Sequence, residues 1–362
     1  MGTVCFSDVK NRGDGPQKQS LSDLSHEQLE AVMDTLGQPG FRAGQLFTWL
    51  HQKRADSFAQ MSNLPAGLRE RLREEWYIEM PVVAAERQSA DGTKKALFRL
   101  RDGHCIESVL MRYQHGNSLC ISTQVGCRMG CRFCASTRGG LVRNLTPGEM
   151  LGQVYAMQNH TGLPVSHVVL MGIGEPLDNF ENVLAFYQRV TDRRGQDLSG
   201  RNLSLSTCGL VPQMERLAEY RLPLTLSVSL HAADDETRQK LMPVADRYPL
   251  GELLKVCRAY QKKTGRRISF EYAVVPGVND RQKDAEGLSH LLGGMGAHLN
   301  LIAVNPTGRD AQKGPDRGKT ERFQKRLTAL GLNATVRRSL GTDIEAACGQ
   351  LRAEYASEED KV

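Results

Sequence analysis

The chain has 362 residues, enough for one large domain with a small appendage, and its 24% charged content is that of a globular protein rather than a disordered one. A formal net charge of +6 suits a polyanionic partner such as nucleic acid and equally a mildly basic enzyme, so charge alone does not choose between them. No apolar run approaches membrane-spanning length, and the N-terminal MGTVCFSDVKNRGDGPQKQ lacks the apolar core of a secretion signal. A cytoplasmic protein with no membrane association is therefore expected. In a reducing compartment nine cysteines, an odd number, point to metal binding or catalysis before structural disulfides.

In chain order, residues 1–20 read as a flexible leader rich in Gly, Lys and Gln. Residues 21–81 predict a small helical domain. Ser25-x-x-Gln28 opens SHEQLEAVMDTLG as a capping box, with Gly37 as its stop. Leu46, Phe47 and Leu50 share one face of RAGQLFTWLHQK, and LPAGLRERLREEW follows. The Arg and Lys of HQKR and LRERLR fit either a solvated face or contact with an RNA backbone. Residues 82–117 predict a β-rich connector with Asp102-Gly103 as a hairpin turn.

From 118 to 350, seven strand-like segments alternate with amphipathic stretches: LCISTQV, VSHVVLMGIG, NLSLSTCG, LTLSVSLHA, ISFEYAVVPG, HLNLIAVNP and NATVRRSLG. This alternation predicts an α/β fold with a parallel sheet and crossover helices, whose chemistry gathers at the carboxyl ends of the strands. GIGEPLDN, STCG, SLHAADD, PGVND and NPTG all follow strands and would form a barrel rim. Residues 351–362 read as a tail.

The stretch SLCISTQVGCRMGCRFCAST holds Cys120, Cys127, Cys131 and Cys134. The last three, spaced C-x3-C-x2-C, can converge on one metal site from a single loop. Structural zinc sites pair their cysteines, yet no second pair follows here, and Cys120 falls in the preceding strand. In a four-iron cubane, three cysteines leave one iron open, and an open position marks a catalytic rather than a structural metal site. With Phe133 before the last cysteine, the spacing resembles that of the radical SAM superfamily over about residues 118 to 340. The resemblance implies one [4Fe-4S] cluster on Cys127, Cys131 and Cys134, with S-adenosylmethionine (SAM) on the open iron. MGIGEPLDN, with Gly172, Gly174 and Glu175, resembles the superfamily's SAM-binding GGE loop. Thr146-Pro147-x-Glu149 reads as the capped start of a helix behind the cysteine loop, a structural role.

A lone late cysteine such as Cys348 in GTDIEAACGQLR is most often a core residue. Here the pattern GxDIxAACGQL, with C-x-S-x-Q-x-GC, SLHAxxxxxRxxLMPxxxxYP and PGVND, resembles the RlmN/Cfr family of radical SAM RNA adenine methyltransferases, its RlmN branch in particular. The resemblance implies a partial (β/α)6 barrel that methylates C2 of an adenine in 23S rRNA at the peptidyl transferase centre. It also implies methylation of adenine 37 of a subset of tRNAs, with two SAM molecules used per turnover. Adenine C2 is electron-poor and cannot itself attack a methyl donor. In the implied route the Cys348 thiolate first takes the methyl group by displacement. A deoxyadenosyl radical then abstracts hydrogen from that S-methyl group, and the carbon radical adds to the ring. Glu107, in HCIESVLM, is the implied proton acceptor. Cys120 then forms a transient disulfide with Cys348 and frees the product.

Gly174, Glu175, Ser206, Ser229, Leu230, His231 and Asn305 are the implied SAM contacts. A flavodoxin-type electron donor and a monomeric protein are expected. Cys208 departs from the family, where a small non-thiol residue is expected, while Cys5, Cys105 and Cys257 read as structural. Cys105 shares a strand face with Glu107. The target base must be unstacked to reach the site, which gives Arg337 and Arg338 work on phosphates, with recognition through RNA shape. The sister activity, C8 methylation, goes with Ala at the position of Pro176. An alternative from another class is a non-catalytic metal-binding RNA-interaction protein.

Overall fold

In chain order, β1 (Gln19–Ser20) and β2 (Trp76–Tyr77) pair in parallel around α1 (His26–Thr35), α2 (Phe41–His51) and α3 (Ala66–Glu75) in the computed structural model, which describes residues 18–303, 317–338 and 340–344. The capping box at α1 forms as expected. Ser25 Oγ accepts the Gln28 N–H, the Gln28 side chain accepts the Ser25 N–H, and the chain leaves the helix through Gly37 at φ +65°. Leu29 and Met33, Leu46, Phe47 and Leu50, and Leu68 and Leu72 recur at helical spacing and close into a small core of their own.

Three antiparallel strands follow: β3 (Val82–Gln88), β4 (Lys94–Arg99) and β5 (Cys105–Tyr113). Gly103, at φ +89°, makes the turn expected at Asp102-Gly103. β5 returns onto β6 (Gly116–Cys120), the first parallel strand. β7 (Gln124–Gly126) and β8 (Leu141–Asn144) form a separate two-stranded ribbon with the cysteine loop between them.

After α4 (Pro147–Thr161), strands and helices alternate: β9 (His167–Leu170), α5 (Phe180–Val190), β10 (Leu203–Thr207), α6 (Val211–Glu219), β11 (Thr225–Ser229), α7 (Asp235–Leu241), α8 (Leu250–Thr264), β12 (Ser269–Val274), α9 (Gln282–Leu292), β13 (His298–Ala303), α10 (Arg317–Ala329) and β14 (Asn333–Val336). All these strands join one sheet in the order β14-β13-β12-β11-β10-β9-β6-β5-β4-β3, parallel from β6 to β14. The fold is therefore the expected α/β partial barrel of six strand–helix units, with β14 as a seventh strand on one edge and three antiparallel strands on the other. Among the described residues no helix is long and apolar enough to cross a membrane.

The segment LCISTQV is not one strand. β6 stops at Cys120 because the backbone of Ser122 turns to buried side chains: Gln153 Oε1 accepts the Ser122 N–H, and Gln153 Nε2 donates to the Ser122 carbonyl. Ser122 Oγ in turn donates to the Glu107 carbonyl, so a polar joint marks the exit from the barrel.

The helical unit docks on α4. Asp23 Oδ1 accepts the Gly148 N–H at 2.7 Å, and His51 Nδ1 meets the Tyr155 hydroxyl at 3.0 Å. A Cβ on Gly152 would stand 2.6 Å from Pro81, so the helix approaches the linker at backbone distance.

Candidate active site

The carboxyl ends of β9 to β13 surround a cavity of about 300 Å³. Cys127, Cys131 and Cys134 face it from the loop between β7 and β8. That loop is held shut at its base, where Cys127 N–H donates to the Gly140 carbonyl at 2.8 Å. Gly126, at φ +80°, stands so close that a Cβ there would lie 2.0 Å from the same oxygen. At the other end Cys134 N–H donates to the Cys131 carbonyl, and Thr137 Oγ1 donates to both Cys131 and Cys134 carbonyls. Burial, with the neighbouring thiols, pushes the Cys127 and Cys131 thiols up to about 12. Three soft donors around a space larger than one ion needs fit an iron–sulfur cluster.

Opposite the thiols, the loop after β9 packs against the segment after β6. A Cβ on Gly172 would lie 2.5 Å from the Ile121 carbonyl oxygen, and one on Gly174, at φ +112°, would lie 2.8 Å from the Gln124 nitrogen. Only glycine admits this approach. It carries Glu175 into the cavity wall, where burial raises its carboxyl above the ordinary value. Its Oε2 accepts the Cys208 N–H at 2.7 Å and its Oε1 accepts the Leu177 N–H at 3.0 Å. Cys208, where the resemblance led to the expectation of a small non-thiol residue, also lines the cavity. It packs with Cys131 and Met242 and engages Glu175 through its side chain.

Ser206 and Ser229 line the cavity from β10 and β11. His231 lines it too, held at φ +57°, with its ring edge-on to Phe133 at 4.7 Å. Its Nδ1 accepts the Ala273 N–H at 2.8 Å, and burial lowers its pKa to about 3. The ring is therefore neutral and carries its proton on Nε2. The PGVND motif supplies the brace: Asn279 Nδ2 donates to the carbonyls of His231 and Ala273, and its Oδ1 accepts the Val275 N–H. Leu230 is not among the cavity-lining residues. Its side chain belongs to the main apolar core, and its N–H and carbonyl are taken by Glu271 and Arg238, so it supports the site from behind.

Glu107 and Cys120 lie in the adjoining wall rather than on the cavity. Along β5, Ile106 and Leu110 enter the main core, while Val109 and Met111 pack with Cys120 on the opposite face, which Glu107 shares by alternation. Met171 packs against Cys120 and also lines the cavity, so one side chain separates the two. Glu107 Oε2 meets Lys95 Nζ at 3.2 Å, with the side chains 2% and 0% exposed. Leu340 packs on the same Cys120 cluster. Beyond it, Asp343 accepts Ser89 Oγ–H at 2.6 Å and Ala90 N–H at 3.1 Å, and Asp91 accepts Gly341 N–H at 2.9 Å. The C-terminal segment is thus pinned across the β3–β4 hairpin. Asn305 and Cys348 lie outside the described residues.

Several residues here were not anticipated. Glu271 lines the cavity from β12, accepts Asn300 Nδ2–H at 2.9 Å and is raised by burial; a glutamate amid the apolar ISFEYAV was its only signal. Arg238 is fully buried and donates to the carbonyls of Leu230, Tyr248, Cys208 and Ser229, tying the β10 and β11 loops together. Arg337, expected on an RNA surface, lines the cavity instead. Within HQKR, His51 is buried, Lys53 lies over the Trp49 ring and Arg54 donates to Asn159. In LRERLR, Arg69 and Arg71 donate to the Ala59 and Leu36 carbonyls. Much of the expected basic face is thus engaged in packing.

The comparisons with known proteins match this architecture. The Radical SAM superfamily profile covers residues 121–286, and that of the ribosomal RNA large subunit methyltransferase N-terminal domain covers residues 19–78. A probable dual-specificity RNA methyltransferase RlmN from Lachnospira eligens is 48% identical over 342 residues, spanning 94% of this chain and 98% of that protein. Its counterpart from Pelotomaculum thermopropionicum is 50% identical over 93% of this chain and 92% of its own length. The crystal structure of a radical SAM methyltransferase from Sphaerobacter thermophilus superposes with a TM-score of 0.87 at 42% identity, over 92% of this chain and 98% of that one.

Proposed function

This chain belongs to the RlmN family of radical SAM RNA methyltransferases, and from that premise we propose that it methylates C2 of an adenine in 23S rRNA and adenine 37 of a subset of tRNAs. The observation that carries the reading is the C-terminal segment lying over β6. Leu340 packs on Cys120, and Asp343, held by Ser89 and Ala90, stands five residues before Cys348, within about 17 Å of extended chain.

In this reading Cys127, Cys131 and Cys134 hold a [4Fe-4S] cluster, and Gly174, Glu175, Ser206, Ser229, His231 and Asn305 hold SAM. Together, when bound, these groups supply a methyl group and a carbon-centred radical. Cys348 carries the methyl carbon as a thioether and presents it to the ring. Glu107 accepts the proton that leaves C2. The Cys120 thiolate then attacks the Cys348 sulfur, the carbon–sulfur bond breaks with its electron pair going to the carbon, which takes a proton to become the ring methyl group, and a disulfide remains for an external electron donor to reduce. Neutral His231, donating through Nε2, orients a bound group without adding positive charge. The domain division follows the same reading: a helical RNA-docking unit over residues 21–81, a connector over 82–117 and the barrel from 118.

C2 rather than C8 rests on Pro176, which lines the cavity where C8-modifying relatives carry Ala. The test is nuclease digestion of RNA from cells carrying or lacking the gene, with chromatographic identification of the methyladenosine. The 2-methyl isomer is expected; the 8-methyl isomer alone would refute the assignment. Peptide mass spectrometry should find an S-methyl group on Cys348.

A further inference from the structure

We propose that the cleft at the amino ends of β12 and β13 is a second RNA contact, which binds backbone phosphate at the end of the barrel opposite the cysteine cavity. It rests on the RNA-modifying function proposed above. Arg258 and Lys262 near the end of α8, Arg266 and Arg267 just before β12, and the turn 293–296 before β13 line a cleft of about 530 Å³, and no carboxylate is among its lining side chains. Two of the cations are held in place by main chain: Arg258 donates to the Leu291 carbonyl at 3.0 Å and Arg266 to the Leu224 carbonyl at 2.8 Å. Gln261 fixes the turn through the Met295 carbonyl. Lys262 and Arg267 stand exposed above this base.

The helices α8 and α9 both end here, and each carbonyl terminus carries about half a negative charge. Together they offset roughly one of the four cations, which leaves a net charge of about +3 in the cleft. Gly265, Gly294 and Gly296 all have positive φ and open space where a Cβ would stand, so an anion can approach the backbone.

The six residues of β12 separate this cleft from the His231 end of the cavity by about 20 Å. A folded tRNA or rRNA domain can follow the barrel wall over that distance from the reacting base; a minimal hairpin of only a few base pairs is too short to do so. A protein electron donor seated in the cleft would face the same separation from the thiols, which favours RNA as the occupant.

The test compares the full-length chain with the double variant Lys262→Gln/Arg267→Gln, which spares the two anchored arginines. Equilibrium binding is measured across a salt series with a long folded RNA containing the target adenine and with a minimal hairpin. On the long RNA the slope of log K against log salt should fall in magnitude by about two in the variant, one unit for each lost phosphate contact. On the hairpin, slope and methylation should be unchanged. An unchanged slope on the long RNA overturns the proposal. So does inorganic phosphate binding that the variant loses while that slope stays, which assigns the cleft to a free anion. A slower reduction by the protein electron donor with the RNA slope unchanged assigns it to an acidic protein and likewise overturns it. Failure of the parent to methylate either RNA refutes the proposed function instead, and the slope still decides the cleft.

Discussion

The buried pair of Lys95 and Glu107 gives a quantitative test of the wall beside the cavity. At 3.2 Å, with both side chains almost wholly out of water, an effective dielectric of about 20 gives a gross attraction of roughly 5 kcal/mol. Desolvation consumes much of this in the intact pair, but a single truncation exposes it. Removing one partner of such a pair typically costs about 3–5 kcal/mol. Lys95→Met should therefore lower the urea midpoint sharply, and Glu107→Leu should do the same. The double variant should cost well below the sum of the two, because neither charge is then left buried against the loss of the other. Urea unfolding of all four proteins, followed by circular dichroism at one temperature and pH, yields the coupling free energy, expected to be about 2 kcal/mol or more. Additivity within about 0.5 kcal/mol would refute the pairing as a stabilising countercharge.

Other expectations follow from the same geometry. Burial, with Glu149 and Asp23 nearby, raises Glu79 to about 7, while it is only 4% exposed. The folded state then binds the extra proton, so stability should fall as pH rises from about 4.5 to about 7, by roughly 3 kcal/mol, and level off above. Glu79→Gln should flatten that decline in pH-dependent thermal melts, and an equally steep decline in the variant would exclude Glu79 as its source. Gly126→Ala drives a Cβ to within 2.0 Å of the Gly140 oxygen at the base of the cysteine loop. Anaerobic reconstitution should load it with much less iron per chain than the parent, and equal loading would show that the loop tolerates the shift. Cys120→Ala should accumulate a covalent enzyme–RNA adduct on denaturing gels, since the carbon–sulfur bond can no longer be exchanged for a disulfide; multiple turnover without adduct would remove Cys120 from the reaction.

Much of the barrel was legible because alternation is a local signal. Strand and helix periods, the Thr146 cap and the Asp102-Gly103 turn all act over a few residues, and each stands where expected. That Cys127, Cys131 and Cys134 face one cavity was legible for the same reason, since one short loop carries them all. What escaped depends on strands brought together from a distance. Nothing in KKALFRL distinguishes the buried Lys95 from the exposed-edge lysine it resembles; only the β4–β5 register sets it diagonal to Glu107. Cys208 meets Glu175 across two neighbouring strands, and Arg337 enters the cavity because β14 extends the sheet past β13. The break of LCISTQV at Ser122 was hidden because the buried Gln153 that receives its backbone comes from a later helix.

The clamp of Asp343 and Gly341 on the β3–β4 hairpin also has a kinetic meaning. Cys348 is five residues past Asp343, which bounds its distance from that anchor at about 17 Å and corresponds to an effective concentration on the order of 100 mM. On the proposed chemistry, a freely diffusing small thiol would need to approach that level to intercept Cys348 before Cys120 does. On that chemistry the short leash would make disulfide exchange a private, first-order event and would confine the external reductant to resetting the enzyme after the product has gone.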